Sequence, residues 1–189
     1  KWLLDKPGSM IEVNVPDFFY NTKHRDLNIS LKGPIGDAIG NGNHGWHVAG
    51  TIGANHADNQ DATGIHPAPE RLRIKGISIA TDTFLNIINK IKNELITSEK
   101  FILNTSFGYG DSKYVVKNLS PPSLQVKVIL AINWRAAMAP LQNKFLHVAA
   151  AGNDHQVLRD FESKYASPWN MAASKDNLCD LVSGSAKVE

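Results

Sequence analysis

Cysteine is nearly absent: one residue, Cys179, in a chain of 189. That rules out an internal disulfide and any CxxC zinc pattern, and it leaves the redox compartment open, because secreted chains also dispense with disulfides. No apolar run comes near the roughly 18 residues that span a bilayer, so a membrane is not an expected partner. Neither sign of charge dominates: Lys plus Arg number 20 against 18 Asp plus Glu, for a net charge of +2. The lysines are scattered, with no basic run and no aromatic interleaving that would follow a phosphate backbone, which excludes nucleic acid as an expected partner. Repeats, low-complexity tracts and linkers are also missing. The length therefore reads as a single domain over 1–189, large enough to bury roughly 70% of the surface its unfolded chain exposes. The chain opens on Lys1 without methionine or a signal-like stretch, so the expectation is a processed or excised segment whose targeting information has gone.

What remains is alternation. Short β-branched or apolar runs at 11–15, 72–77, 101–105, 145–151 and 178–182 read as buried strands. Leu85, Ile88, Ile91 and Leu95 follow a three-to-four step, as do Leu124, Val128, Ile132 and Ala136, and these read as amphipathic helices. Pro121 and Pro122 suit the entry to the second, because a proline in the first turn gives up an N–H that has no helical partner. Strands of five or six residues separated by helices need crossover connections. The expected fold class is therefore α/β: a doubly wound, mostly parallel sheet with helices on both faces. Arg71, Arg73 and Lys75 alternate along one strand and read as its solvated face.

In open parallel sheets, ligands collect beyond the carboxyl ends of the strands. Asp17 follows the first strand, Ser106 and Gly108 the third, and Gly152 with Asn153 the fourth. His44 lies in NGNHGWHVAGTIGA, residues 41–54, where a helix of small residues would begin. That run is too rich in glycine to be chosen for helix stability, since each interior Gly costs about 1 kcal/mol relative to Ala. A helix pressed close to the strands would need it, with Gly50, Gly53 and the alanines permitting the approach. A carboxylate, an imidazole and an amide donor can then converge at one edge. His47 reads as a structural residue within the helix, because a His44–His47 metal pair lacks a third ligand and the HExxH spacing.

The segment HGWHVAG, residues 44–50, resembles the HGTHVAG motif of the subtilisin-like serine proteases. AAAGND, 149–154, is similar to their AAAGNE oxyanion segment, and ILNTSFG, 102–108, to their VINMSLG substrate-binding strand. GIHP, 64–67, resembles their GVAP, and His24, Asp26, Leu27 and Asn28 keep the register of their HPDLN after the first strand. These motifs stand in the family's order, from about Ile11 to about Val182. The resemblance implies a serine endopeptidase acting on peptide or protein substrates. His44 would take a proton from a serine hydroxyl and return it to the leaving amine, and Asp17 would hold its tautomer. Asn153 would donate to the oxyanion of the tetrahedral intermediate. Ser106, Phe107 and Gly108 would pair with substrate backbone, while Ala150 and Gly152 would line the pocket for the side chain before the scissile bond. The family needs no cofactor for this chemistry and is largely secreted or extracytoplasmic. Many members bind structural calcium; Asp26 matches a ligand position, with Asp58, Asn59 and Asp61 in a nearby oxygen-rich loop that an ordinary polar turn explains equally well.

The chain also departs from the family's pattern. Threonine or serine and then glycine normally follow the aspartate, whereas Phe18 and Phe19 stand here, and Pro16 removes a donor from an interior strand. Asp5 is the reserve candidate, although it loses the register with 24–28. Trp46 replaces the threonine between the histidines, where its ring would narrow the cleft or shield the base. Above all, no GTSMAxP nucleophile motif follows Asn153; Ser185 in GSAKVE is its nearest imitation, lacks the proline and comes too early. The chain thus reads as the amino-terminal portion of a catalytic domain, incomplete at its carboxyl end and inactive alone, with a missing carboxyl-terminal segment or a propeptide as partner. The alternative is a non-catalytic subtilisin-fold module that holds peptides on the 106–108 edge. A nucleotide-binding doubly wound domain ranks third, for want of a glycine-rich phosphate loop after the first strand.

Overall fold

The computed structural model describes residues 10–19, 24, 26–27, 29–32, 43–55, 63–66, 69–79, 83–106 and 121–150. Strands β1 (Ile11–Asp17), β2 (Ile29–Lys32), β3 (Leu72–Ser78), β4 (Phe101–Thr105) and β5 (Phe145–Ala149) form a parallel sheet in the order β2-β3-β1-β4-β5. Helices α1 (His44–Gly53), α2 (Phe84–Leu95) and α3 (Pro121–Met138) fall between β2 and β3, β3 and β4, and β4 and β5 in sequence. This is the α/β class that the alternation implies, and α3 begins at the expected prolines. The strand expected at 178–182 lies outside the described residues. Strand β2 is not among the strands expected from the sequence. It has four residues, stands first in the strand order and exposes Ser30 and Lys32, so it offers only two apolar positions as a signal. The chain divides into two compact units, residues 1–81 with 100–102 and residues 82–99 with 103–189.

In the first unit β1 and β3 pair in parallel from Ile11 opposite Leu72 to Asp17 opposite Ser78, and β2 joins β3 with Ile29 opposite Ile74. Side chains alternate along a strand, so Val13 and Val15 share one face. There they meet Phe19, Leu27, Trp46, Ala49, Ala54 and Ile74 in a single core beneath α1. The opposite face of β1 is polar. Lys75 Nζ lies 2.8 Å from Glu12 Oε2, and Asn14 donates to Glu12 Oε1 at 3.1 Å. Arg73 is exposed as expected, but Lys75 is largely buried in this ion pair and is not simply solvated.

Glycines set the distance between α1 and its surroundings at two positions. A Cβ on Gly45 would lie 2.6 Å from Phe19 Cζ and 2.9 Å from the Phe18 carbonyl oxygen, and one on Gly53 would collide with Leu72 Cδ2. Gly50 is different. A Cβ there would meet only Leu27 Cδ1 at 3.7 Å, an ordinary contact, so the expected need for glycine at this position does not hold. Gly50→Ala should therefore raise stability by about 0.5–1 kcal/mol through helix propensity, whereas Gly45→Ala should lower it by about 1–3 kcal/mol through overpacking. Urea unfolding of the two variants reads both signs. The carboxyl end of α1 is closed by residues 64–66: the amides of Gly64, Ile65 and His66 donate to the carbonyls of Ala54, Thr51 and Ile52 at 3.2, 2.9 and 3.1 Å. Carbonyls that the helix cannot pair internally, or that follow it, are thereby satisfied.

In the second unit α2 packs on α3. Thr83 caps α2 by accepting from the Asn86 amide at 3.4 Å. The buried residues of α2 are Ile87, Ile88, Ile91 and Leu95, and those of α3 include Leu130, Trp134, Ala137 and Met138. Both helices are expected from the three-to-four spacing, but part of the expected inward face points to solvent: Leu85, Ile132 and Ala136 are exposed. Apolar residues occur on more than one face of each helix, so three-to-four spacing alone does not fix the phase. The ends of β4 and β5 are joined by the Ala150 amide, which donates to the Thr105 carbonyl at 3.0 Å. Among the described residues, no helix is long and apolar enough to cross a membrane.

Candidate active site

Alternation along β1 carries Asp17 to the same face as Val13 and Val15, the face that α1 covers. Asp17 is completely buried, and its Oδ1 accepts from the Phe18 amide at 2.7 Å. His44 is the first residue of α1. The next amide, that of Gly45, donates to the Phe18 carbonyl at 3.0 Å, so the helix is moored at its first turn to the residue directly after Asp17. The bare Cα of Gly45 permits this mooring against the Phe19 ring. As a result His44 Nδ1 lies 2.8 Å from Asp17 Oδ1 and 3.0 Å from Oδ2, although 27 residues separate the two in sequence.

The environments of the two side chains differ sharply. The carboxylate has no exposure, whereas the imidazole side chain is 44% exposed. Burial pushes Asp17 above the ordinary carboxylate range, while the hydrogen bonds from His44 and the Phe18 amide, and the charge His44 can carry, pull it back. An ionised Asp17 accepts only, so Nδ1 of the neutral ring is the donor and Nε2 is left as an acceptor. A ring oriented in this way can take a proton at Nε2 and hold the resulting charge against the carboxylate.

The Phe18 amide is the group that side-chain reading missed. The support for Asp17 comes from the backbone N–H of the next residue, and a main-chain donor leaves no mark in the residue types. Phe19 is equally informative, because it fills the core under Gly45 and meets Trp46 edge to face, with centroids 5.6 Å apart and an interplanar angle of 83°. Trp46 is buried in that core and lies 5.8 Å from the His24 ring, so its bulk goes beneath the helix instead of narrowing a cleft. His47 is exposed, and its carbonyl accepts from the Thr51 hydroxyl at 3.0 Å; its side chain does not pack within the helix as expected.

The remaining expected positions divide between the two units and the residues not described. Asp26 is buried; its Oδ1 accepts from the Asn55 amide at 3.2 Å and its own amide donates to His24 Nδ1 at 3.2 Å, which ties the 24–27 turn to the end of α1. Among the described residues, no three His, Cys, Asp or Glu side chains gather closely enough to hold a metal ion. In the second unit Ser106 follows β4, with its Oγ accepting from Asn104 Nδ2 at 2.8 Å, and Ala150 follows β5. Asp5, Asp58, Asn59, Asp61, Phe107, Gly108, Gly152, Asn153 and Ser185 lie outside the described residues.

No curated protein matches the chain. The model of the subtilase family, Peptidase S8, matches residues 11–178, which include β1 with Asp17 and the first turn of α1 with His44. With most of its length matched, the chain belongs to the subtilase family.

Proposed function

We propose that this chain is the acid- and base-bearing portion of a serine endopeptidase, and the observation that carries the reading is the 2.8 Å hydrogen bond between buried Asp17 and half-exposed His44. In this reading His44 Nε2 removes the proton from a serine hydroxyl as it attacks the scissile carbonyl. Asp17 stabilises the imidazolium, which then protonates the leaving amine. Asn153 donates to the oxyanion, residues 106–108 pair with the substrate backbone, and Ala150 and Gly152 line the side-chain pocket. The serine belongs to a segment these 189 residues do not contain, since no GTSMAxP motif follows Asn153. Secretion or an extracytoplasmic location agrees with the family.

The same missing motif supports a second reading, a peptide-holding module that does not cut. One experiment separates the two. A fluorophosphonate probe applied to the intact protein should label a single serine beyond Glu189, and His44→Ala should reduce the labelling rate by at least about 10³-fold. An intact protein that binds peptide but takes no label, with affinity unchanged by His44→Ala, is the module and not the peptidase.

A further inference from the structure

The second unit holds a buried polar pair for which the proposed mechanism has no use. Thr105 ends β4, His147 stands in the middle of β5, and both are buried. Thr105 Oγ1 is 2.9 Å from His147 Nε2, and the same hydroxyl can donate to the Val148 carbonyl at 3.5 Å. The imidazole lies against Trp134 of α3, with centroids 5.4 Å apart, and Phe145 of its own strand, at 6.3 Å. Hydroxyl, indole and phenyl do not titrate in the acid range, and desolvation alone lowers the His147 pKa to about 4, so the ring is neutral near pH 7.

Its position gives the pair significance. The Thr105 carbonyl takes the Ala150 amide at 3.0 Å, and the next residue, Ser106, takes the Asn104 amide on its hydroxyl at 2.8 Å. A side-chain bond from β5 to β4 therefore sits one residue before Ser106, beside the backbone bond that fixes Ala150.

We propose that His147 is a positioning residue for peptide binding: acting through Thr105, it holds the end of β4 against β5 so that Ser106 and Ala150 meet an extended peptide in fixed register. This rests on the reading of 106–108 and Ala150 as the substrate edge. Backbone pairing with a peptide strand depends on the placement of main-chain donors and acceptors, and a strand end held by a side-chain bond in addition to its backbone bonds splays less readily than one held by backbone bonds alone.

The test titrates the intact chain with N-acetyl-tetraalanine amide while the backbone resonances of Ser106 and Ala150 are followed. The wild type should bind, with shifts at both amides. His147→Phe retains a ring against Trp134 and Phe145 but removes the nitrogen. Thr105→Val removes the hydroxyl from the other side at nearly constant volume. Each should weaken peptide affinity about fivefold at a temperature where urea unfolding shows the chain folded, and His147→Gln, which keeps a polar partner, should recover part of the loss. In the wild type without peptide, the Ser106 and Ala150 shifts should also titrate near pH 4, and this step should vanish in His147→Phe. Equal affinity in wild type and Thr105→Val overturns the positioning role and leaves the substrate edge standing, even if His147→Phe does not fold. A wild type whose Ser106 and Ala150 amides ignore the peptide overturns the edge itself, and the role of His147 with it.

Discussion

On the proposed endopeptidase mechanism, Asp17→Asn should lower the kcat of the intact protein about 10⁴-fold, while leaving the chain at least as stable as the wild type at neutral pH. The asparagine carbonyl oxygen can still accept from the Phe18 amide, which now contacts Oδ1 at 2.7 Å. The amide nitrogen then faces His44 Nδ1 as a donor. Donor against donor is not tolerated, so the imidazole proton moves to Nε2, the position that must be empty to accept from the serine. About 10⁴ in rate corresponds to roughly 5 kcal/mol of lost transition-state stabilisation. The stability effect has the opposite sign. Asp17 is held above its ordinary value of 3.8 by burial, so the native state binds its proton more tightly than the unfolded chain does. Stability from this group is greatest below pH 3.8, falls as pH rises through the raised native value, and stays low above it. Asparagine removes that cost of an ionised, buried carboxylate. Peptide hydrolysis and urea unfolding on the same preparation read both effects, and wild-type kcat in the variant would remove Asp17 from the mechanism.

The legibility of this site in the sequence follows from which interactions use side chains. His44 was legible because its neighbours are unusual: a histidine followed by Gly45, with Gly53 closing the helix where it presses on Leu72, is a pattern that packing, not helix propensity, selects. Asp17 was legible as the residue after an apolar strand, but its support was not, because the Phe18 amide and the mooring of Gly45 to the Phe18 carbonyl are main-chain bonds. In the sequence alone, Phe18 and Phe19 therefore count against Asp17. In the structure Phe19 is a packing residue: its buried ring under Gly45 and against Trp46 is part of what holds α1 over the end of β1.

Strand and helix existence was similarly plain, and facing was not. The β-branched and apolar positions of 72–77 and 101–105 mark strands, and the crossovers they demand give the class of fold. In α3 the apolar residues Ile129, Leu130, Ile132 and Trp134 occupy several faces, and only tertiary packing, such as that of Trp134 against His147 of β5, selects Leu130 and Trp134 for the interior. Lys75 shows the same limit in the first unit. Alternation with Arg73 suggested a solvated row, and nothing local announces that Glu12 on the adjacent strand waits 2.8 Å away.

His147 sets how the chain should respond to acid. With its native pKa near 4 and an unfolded value of 6.5, the folded chain declines a proton that the unfolded chain accepts between those limits. Stability is then fully present above about pH 6.5 and is lost as pH falls toward 4, at up to about 1.4 kcal/mol per pH unit. The total is on the order of 3 kcal/mol, a large fraction of what a domain of this size ordinarily has to lose. Asp17 works in the opposite direction, since its raised value makes stability fall as pH rises, so the two groups do not mimic each other. His147→Phe should flatten the profile between pH 6.5 and 4 relative to the wild type, whatever it does to stability at pH 7. The measurement is the urea midpoint at half-unit steps from pH 7.5 to 4. An unchanged slope in the variant would mean that the acid sensitivity lies elsewhere and that the imidazole gains its proton without unfolding. Neutrality is also what keeps the ring compatible with Trp134 and Phe145, because a cation there would be sealed in an aromatic setting with the Thr105 hydroxyl beside it. Acid sensitivity and tight closure of the β4–β5 end therefore have one cause, a polar ring placed where the core would otherwise be apolar.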